Sequence, residues 1–399
     1  MRKILLILCL VVIGLNAKDQ KLSNIPPASM EFIDVMPGIC DQICLKRLID
    51  NRQEFSFIAR YTPEYGSEFK GHYSRLSGKS GTLVVPKGVF RSKTIAVMLP
   101  EQVIGGYAEV VANSVFSYVI SEDINIGVKF YYTGTEDPQA LRDALMQMEK
   151  DEIALVIAPL TAKGASYVAA NSDQNMLFFI PTIHFQVVDQ SRENIFFGGI
   201  DYEEQISKLL NISNKDIVLF SDGSVLGNSL DKYVESSGYD LFAKHSISGS
   251  KKTLLGLVDS KYNNLAIFLN LPLDKTAMVA TELRLNGIKP VAMLTTQINY
   301  APKLISTINY QDRENLYVAN SITNIDKDIA GISSVLGVDM YYNWVAYSTA
   351  IGLDYLYSTY IDPDHKRVFS EEILGSSINY NTKIYKTQRY VFEEFSGLK

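Results

Sequence analysis

Apolar positions along this chain fall into short continuous runs separated by stretches with helical spacing. Ile95 to Leu99 is wholly apolar, as befits a strand buried on both faces. Ile104 to Ile120 then carries a broad apolar face at helical period. The alternation repeats. Ile126 to Tyr132, Ile153 to Ile157 and Leu177 to Ile180 are predicted strands, with helices from Pro138 to Lys150 and from Thr161 to Asn171 between them. Asp137-Pro138 supplies an N-cap and a first-turn proline for the earlier of these helices. Connections this short enforce parallel, right-handed βα units, and one lobe is complete by about residue 200.

A second lobe is expected from there to about residue 317. Its strands are Ile217 to Phe220, Tyr239 to His245, Leu265 to Leu269 and Pro290 to Leu294, with helices near 202–211, 225–236, 274–286 and 299–308. Leu316 to Ala319 reads as a return strand, and residues 318–365 as a return to the first lobe. Val338 to Tyr357 is an amphipathic closing helix. The tail from Ile373 to Phe395, within a segment of about 370–399, alternates polar and apolar residues and predicts a β-hairpin.

The first 91 residues differ in character. Arg2 and Lys3 precede an apolar run from Ile4 to Leu15, and Leu15-Asn16-Ala17 offers small-residue cleavage chemistry. Residues 1–17 therefore read as a cleaved signal peptide, too short in its apolar part for the roughly 20 residues of a spanning helix. This predicts export to the periplasm and no transmembrane anchor in the mature chain. Residues 18–91 form an extension with a short helix from Asp41 to Asn51 and a strand at Thr82 to Val85. Cys9 leaves with the signal. The remaining Cys40 and Cys44 form an even pair in an exported chain and predict one disulfide.

Charge and composition then narrow the function. Without Arg2 and Lys3 the 38 basic residues become 36 against 44 acidic ones, a net charge near −8 that argues against a nucleic-acid partner. Nucleotide and nicotinamide pools are absent outside the cytoplasm, so no cofactor is expected. Catalytic patterns fail one by one. Gly78-Lys79-Ser80 lacks the first glycine of a phosphate loop and precedes a strand. No G-x-S-x-G or H-E-x-x-H occurs, and His72, His184, His245 and His365 are scattered without zinc spacing, so neither catalytic residues nor a metal are expected.

The succession Ile95 to Pro100, Ala158-Pro159-Leu160-Thr161, Ile180-Pro181-Thr182 and Ser221 to Gly227 resembles type I periplasmic binding proteins, the group that includes receptors for leucine, isoleucine and valine. The resemblance covers residues 92–399 and implies an α/β fold of two lobes, each a mainly parallel sheet flanked by helices, hinged around a central cleft. Pro159-Leu160, Lys163 and the tail Gly375 to Gly397 look most like the carboxyl domain of LpoA-type activators of penicillin-binding proteins. By that resemblance the first lobe would offer Glu101, Gln102, Thr161, Thr182 and His184 to a ligand. The second would offer Asp222, Ser224, Asn270, Thr295 and Thr296. A threonine hydroxyl and helix N-terminal amides can hold a carboxylate, and Asp222 could accept from an ammonium. Thr161 and Asp222 are also good N-caps. Leu271-Pro272-Leu273 makes this cleft less polar than an amino-acid receptor's. Two functions follow as expectations: a non-enzymatic receptor passing a small polar ligand to a transporter or sensor, or a ligand-less module regulating an envelope partner such as a peptidoglycan synthase.

Overall fold

In a computed structural model, residues 40–51, 53–62, 69, 73, 94–188, 191–213, 215–247 and 257–397 are described. The expected signal peptide and the strand at Thr82 to Val85 lie outside them. The chain divides into two compact units, Met1–Gly81 and Thr82–Lys399.

The first unit contains α1 (Gln42–Asp50) and α2 (Glu54–Arg60). Asp41 caps α1 by accepting from the Cys44 amide at 2.9 Å, and Leu45, Leu48 and Phe57 form a small core with Cys40. Cys40 and Cys44 are joined in a disulfide, their Cα atoms 5.2 Å apart. Cys40 precedes the N-cap and Cys44 lies in the first turn, so the bridge ties the entering chain to the start of α1 at a Cα separation disulfides accommodate.

The second unit is built on two seven-stranded sheets. The first contains β1 (Thr94–Leu99), β2 (Gly127–Tyr132), β3 (Leu155–Ile157), β4 (Leu177–Ile180) and β5 (Ile195–Phe197), in the parallel order β2-β1-β3-β4-β5. Between the strands run α3 (Glu101–Ile104), α4 (Tyr107–Ser121), α5 (Pro138–Lys150) and α6 (Ala162–Asn171). Alternation along β1 serves two cores at once. Ile95, Val97 and Leu99 join one cluster with α4, whereas Ala96 and Met98 join another with α5 and α6.

The second sheet repeats this plan. After α7 (Tyr202–Leu210) come β6 (Ile217–Ser221), α8 (Val225–Glu235), β7 (Leu241–Ser246), β8 (Ala266–Asn270), α9 (Leu273–Leu285), β9 (Ala292–Thr295), α10 (Pro302–Thr307) and β10 (Leu316–Asn320), with strand order β7-β6-β8-β9-β10. The chain then returns to the first lobe through α11 (Lys327–Val335) and α12 (Trp344–Leu356), whose apolar residues join the α4 cluster.

Three sequence expectations need correction. The predicted helix from Ile104 breaks at Gly105-Gly106 into α3 and α4; Gly105 has φ +55°, outside helical space. The strand at Leu316 belongs wholly to the second sheet and runs to Asn320, so the crossing lies beyond residue 320 rather than at 318. The tail is not one hairpin but two. β11 (Glu372–Leu374) and β12 (Ser377–Asn379) extend the first sheet, whereas β13 (Lys383–Thr387) and β14 (Phe392–Glu394) extend the second. A period-two pattern fixes which residues share a face, not which sheet edge the strand joins.

The chain thus passes between lobes three times, at residues 198–201, 321–326 and 380–382. Gly198 and Gly199 make the first passage possible. A Cβ on Gly198 would lie 1.9 Å from Ser348 Oγ, and one on Gly199 would lie 2.1 Å from the Ile183 carbonyl carbon.

Candidate functional site

The carboxyl ends of the parallel strands in both lobes carry the loops from which a ligand site would be built. In the first lobe the decisive residue is one the sequence reading passed over. Glu136, in the loop after β2, reaches across to the N-terminus of α6 and is 5% exposed. Its carboxylate accepts from the Thr161 amide at 2.7 Å, from the Gly164 amide at 3.2 Å and from the Thr161 hydroxyl. The Thr161 hydroxyl and the amides at the N-terminus of α6 therefore do hold a carboxylate, and that carboxylate belongs to the chain itself. Helix N-termini favour anions because their first amides lack intrahelical acceptors and the macrodipole is positive there. Gly164 completes the fit, since a Cβ there would lie 2.6 Å from Glu136 Cδ.

The neighbouring expected residues serve the same local frame. Thr182 Oγ1 donates to the Leu160 carbonyl at 2.6 Å, tying the loop after β4 to the loop after β3. Glu101 accepts from the Gly134 amide at 3.1 Å, and the Gln102 amide donates to the Gly134 carbonyl at 2.9 Å. These two contacts hold the Glu136 loop against the end of β1. Asp137 occupies the N-cap position of α5 but makes no side-chain cap bond; it accepts instead from the Thr135 hydroxyl at 3.0 Å. His184 packs on Phe185 with ring centroids 4.6 Å apart, and its Nδ1 is buried without a partner. Burial lowers its pKa, against the opposing pull of Asp201.

In the second lobe, Asp222, Ser224 and Asn270 line one pocket of about 200 Å³ at the ends of β6 and β8, together with Leu271 and Pro272. Ser224 caps α8 by accepting from Gly227 N at 3.0 Å, and Asp222 accepts from Ser224 N at 3.0 Å. Burial pushes the Asp222 pKa up. Its hydrogen bonds from Ser224 and the charge of Lys275 outweigh this and leave it below the usual value. Asn270 is 1% exposed; its Nδ2 donates to Asp231 at 2.9 Å while its Oδ1 has no partner. Asp231 in turn pairs with Lys244 at 3.0 Å. Thr296 is buried, its Oγ1 without a partner, and Thr295 donates to the Leu269 carbonyl at 3.0 Å.

Buried polar contacts join the passages between lobes. Gln205 Nε2 donates to Gln297 Oε1 at 3.0 Å and to Ser321 Oγ at 2.8 Å, while the Gln297 amide donates back to Gln205 Oε1 at 3.0 Å. Ser321 and Thr382 share a hydroxyl contact at 3.0 Å, and Thr382 Oγ1 also lies 2.8 Å from Glu204 Oε2. Tyr380 donates to the Gly198 carbonyl at 2.5 Å. All three crossings are therefore hydrogen-bonded to residues beside them, with Gln297 Nε2 buried and left without a partner.

Two mostly parallel sheets of matching order, flanked by helices and joined by three crossings, define the two-lobed fold of type I periplasmic binding proteins. A putative branched-chain amino acid ABC transporter protein from Rhodospirillum rubrum superposes with TM-score 0.58 at 10% identity, covering 76% of this chain and all of that one. Full-length LpoA from Haemophilus influenzae matches with TM-score 0.58 at 13% identity, over 88% of this chain and 68% of its own. Its C-domain, described as a regulator of PBP1A, matches at 0.51 and 13% identity, over 76% of this chain and 99% of its own. No family model and no curated protein sequence matches. Residues from Thr94 onward make up about 77% of the sequence, so a match spanning 88% extends into the residues before Thr94. Among the described residues, no helix is long and apolar enough to cross a membrane, and no three potential metal ligands converge.

Proposed function

We propose that this chain is a non-catalytic protein of the cell envelope that retains the binding-protein fold but works through a protein partner, as a regulator rather than a solute receptor. The carrying observation is Glu136. It occupies the anion cradle at the N-terminus of α6 with three hydrogen bonds, so an incoming amino-acid carboxylate would have to displace a tethered, buried one. A tether raises the local concentration of its own group to the millimolar range or above, which free ligands must exceed. The LpoA match that extends before Thr94 supports the same reading, and the signal-like leader supports a periplasmic location. Reconstitution tests it. The mature chain should bind a purified envelope partner such as a peptidoglycan synthase and alter its rate, while amino acids and other small metabolites leave the chain's melting temperature unchanged. A saturable stabilisation by one amino acid, which selective native-state binding would produce, would overturn it.

A receptor reading has one specific observation in its favour. The unpartnered Asn270 Oδ1 beside Asp222 and Ser224 leaves polar capacity in the 200 Å³ pocket of the second lobe. An ammonium held there by Asp222 would need no help from Glu136. Asp222→Ala and Thr161→Ala variants separate the two readings, since a receptor should lose affinity in one or both.

A further inference from the structure

A cavity of about 830 Å³ opens on the second lobe, bounded by the segment from Tyr300 to Arg313, by Tyr342, and by the β13–β14 turn from Arg389 to Phe392. That volume is typical of small-molecule sites, which run from about 300 to 1,000 Å³. Its walls are aromatic. Tyr300 packs against Tyr342 at 5.4 Å and Phe392 at 4.6 Å between ring centroids, while Tyr310 and Tyr390 are 40% and 77% exposed.

The charge of the site is equally specific. Among the described residues no acidic side chain lines it, and two arginines do, on a chain whose net charge is −6. Arg313 is only 1% exposed. Its guanidinium donates to the carbonyls of Ile305, Ile308, Gln388 and Arg389, which ties the β13–β14 turn to the lobe. Among the described residues no carboxylate pairs with it. Of the adjacent acids, Asp312 binds Arg284 and Thr281, Glu394 binds Lys383 and Glu393 binds Gln388, while the exposed Glu314 lines a separate pocket beside Arg284. A clamp accounts for the carbonyl bonds. It does not account for a buried cation left without a counter-ion, which proteins ordinarily avoid. Arg389 adds a second, exposed guanidinium stacked 5.5 Å from the Tyr390 ring centroid, as Arg313 lies 5.5 Å from that of Tyr310.

We propose that this cavity is a ligand site for a small carboxylate carrying an aromatic ring, its carboxylate paired with Arg389 above the buried charge of Arg313 and its ring packed among Tyr300, Tyr310 and Tyr342. Stacked and edge-on ring contacts supply affinity for the ring. The guanidinium fork supplies selectivity for the anion. The cavity's lining includes neither Glu136 nor any of the expected cleft residues.

Calorimetric titration with indole-3-acetate, tryptamine and acetate tests both halves of the recognition on the full mature chain. Indole-3-acetate should bind saturably, with the oppositely charged tryptamine and the ringless acetate each at least roughly tenfold weaker. Arg389→Gln should weaken indole-3-acetate about tenfold and Arg389→Glu should abolish its binding. Only the Arg389 carbonyl takes part in the clamp, so both variants should melt like the parent chain. Glu136→Ala should bind indole-3-acetate as the parent does. Absence of saturable binding, equal affinity for tryptamine, retention of binding by Arg389→Glu, or sensitivity to Glu136→Ala would each overturn the proposal.

Discussion

Replacing Glu136 by alanine removes the acceptor for three donors: the Thr161 amide, the Thr161 hydroxyl and the Gly164 amide. A hydrogen bond to a charged group contributes about 1.5–3 kcal/mol, and a carboxylate at a helix N-terminus adds about 0.3–1 kcal/mol through the macrodipole. The full sum is not lost, because the vacated space can admit water that satisfies part of the set. A net cost of about 3 kcal/mol follows from discounting the sum by half or more. For a domain of this size each kcal/mol moves the melting temperature by roughly 2 °C, so the variant should melt roughly 6 °C lower. Glu136→Gln keeps one acceptor oxygen but sets an NH2 against the helix amides, and should lose roughly half as much. Urea unfolding, with the midpoint shifted and the slope unchanged, is the assay that isolates stability from compactness. A Glu136→Ala variant within about 0.5 kcal/mol of the parent would show that the carboxylate is incidental to the fold.

Further predictions follow from other contacts. Gly164→Ala would drive a methyl into Glu136 Cδ, so it should destabilise the parent by about 2 kcal/mol and do far less in a Glu136→Ala background, a coupling that a double-mutant cycle measures. Asp354 is fully buried and accepts from Tyr118 at 2.9 Å, Arg367 at 3.1 Å and the Val368 amide at 3.1 Å; Asp354→Ala should cost about 3–5 kcal/mol in the same unfolding assay. Asp151 has its pKa lowered from 3.8 to about 2, first by the hydrogen bond from Lys129 and then by those from Tyr131 and Gln147. A carboxyl with a depressed folded-state pKa stabilises the native state above its unfolded value, near pH 4, and that contribution disappears as pH falls through about 2. In Lys129→Met, carbon-detected NMR titration should place Asp151 closer to 3.8, and an unchanged value would refute the assignment of cause.

The strands of both lobes were legible because they are buried on both faces: β1, β4, β6 and β8 read as unbroken apolar runs and lie where those runs fall. Edges and short elements were harder. β5 has only three residues, too few to stand out where the first lobe is expected to end, and α11 was missed because its buried Ile329, Ala330 and Ser333 make a weak apolar stripe. Placing one hairpin on each sheet depends on tertiary pairing that no local period encodes. In the candidate site, residues at the ends of strands can be located from sequence because the fold fixes where such ends must be. Their partners were not. Glu136 sits beside Asp137-Pro138, and the strong helix-start signal of that pair masks the acid that reaches α6. The glycine three residues after Thr161 was the available clue, since it opens room at a helix N-terminus that a larger residue would fill.

The central claim is that the cleft's anion cradle is already occupied by the chain's own carboxylate. Titrating acetate and leucine into the parent and into Glu136→Ala, with heat of binding as the readout, tests it most directly. The account predicts no saturable heat from the parent with either compound, and a weak, saturable uptake of acetate by the variant once the Thr161 and Gly164 donors are free. Saturable binding of leucine by the parent, lost or unchanged in the variant, would contradict it.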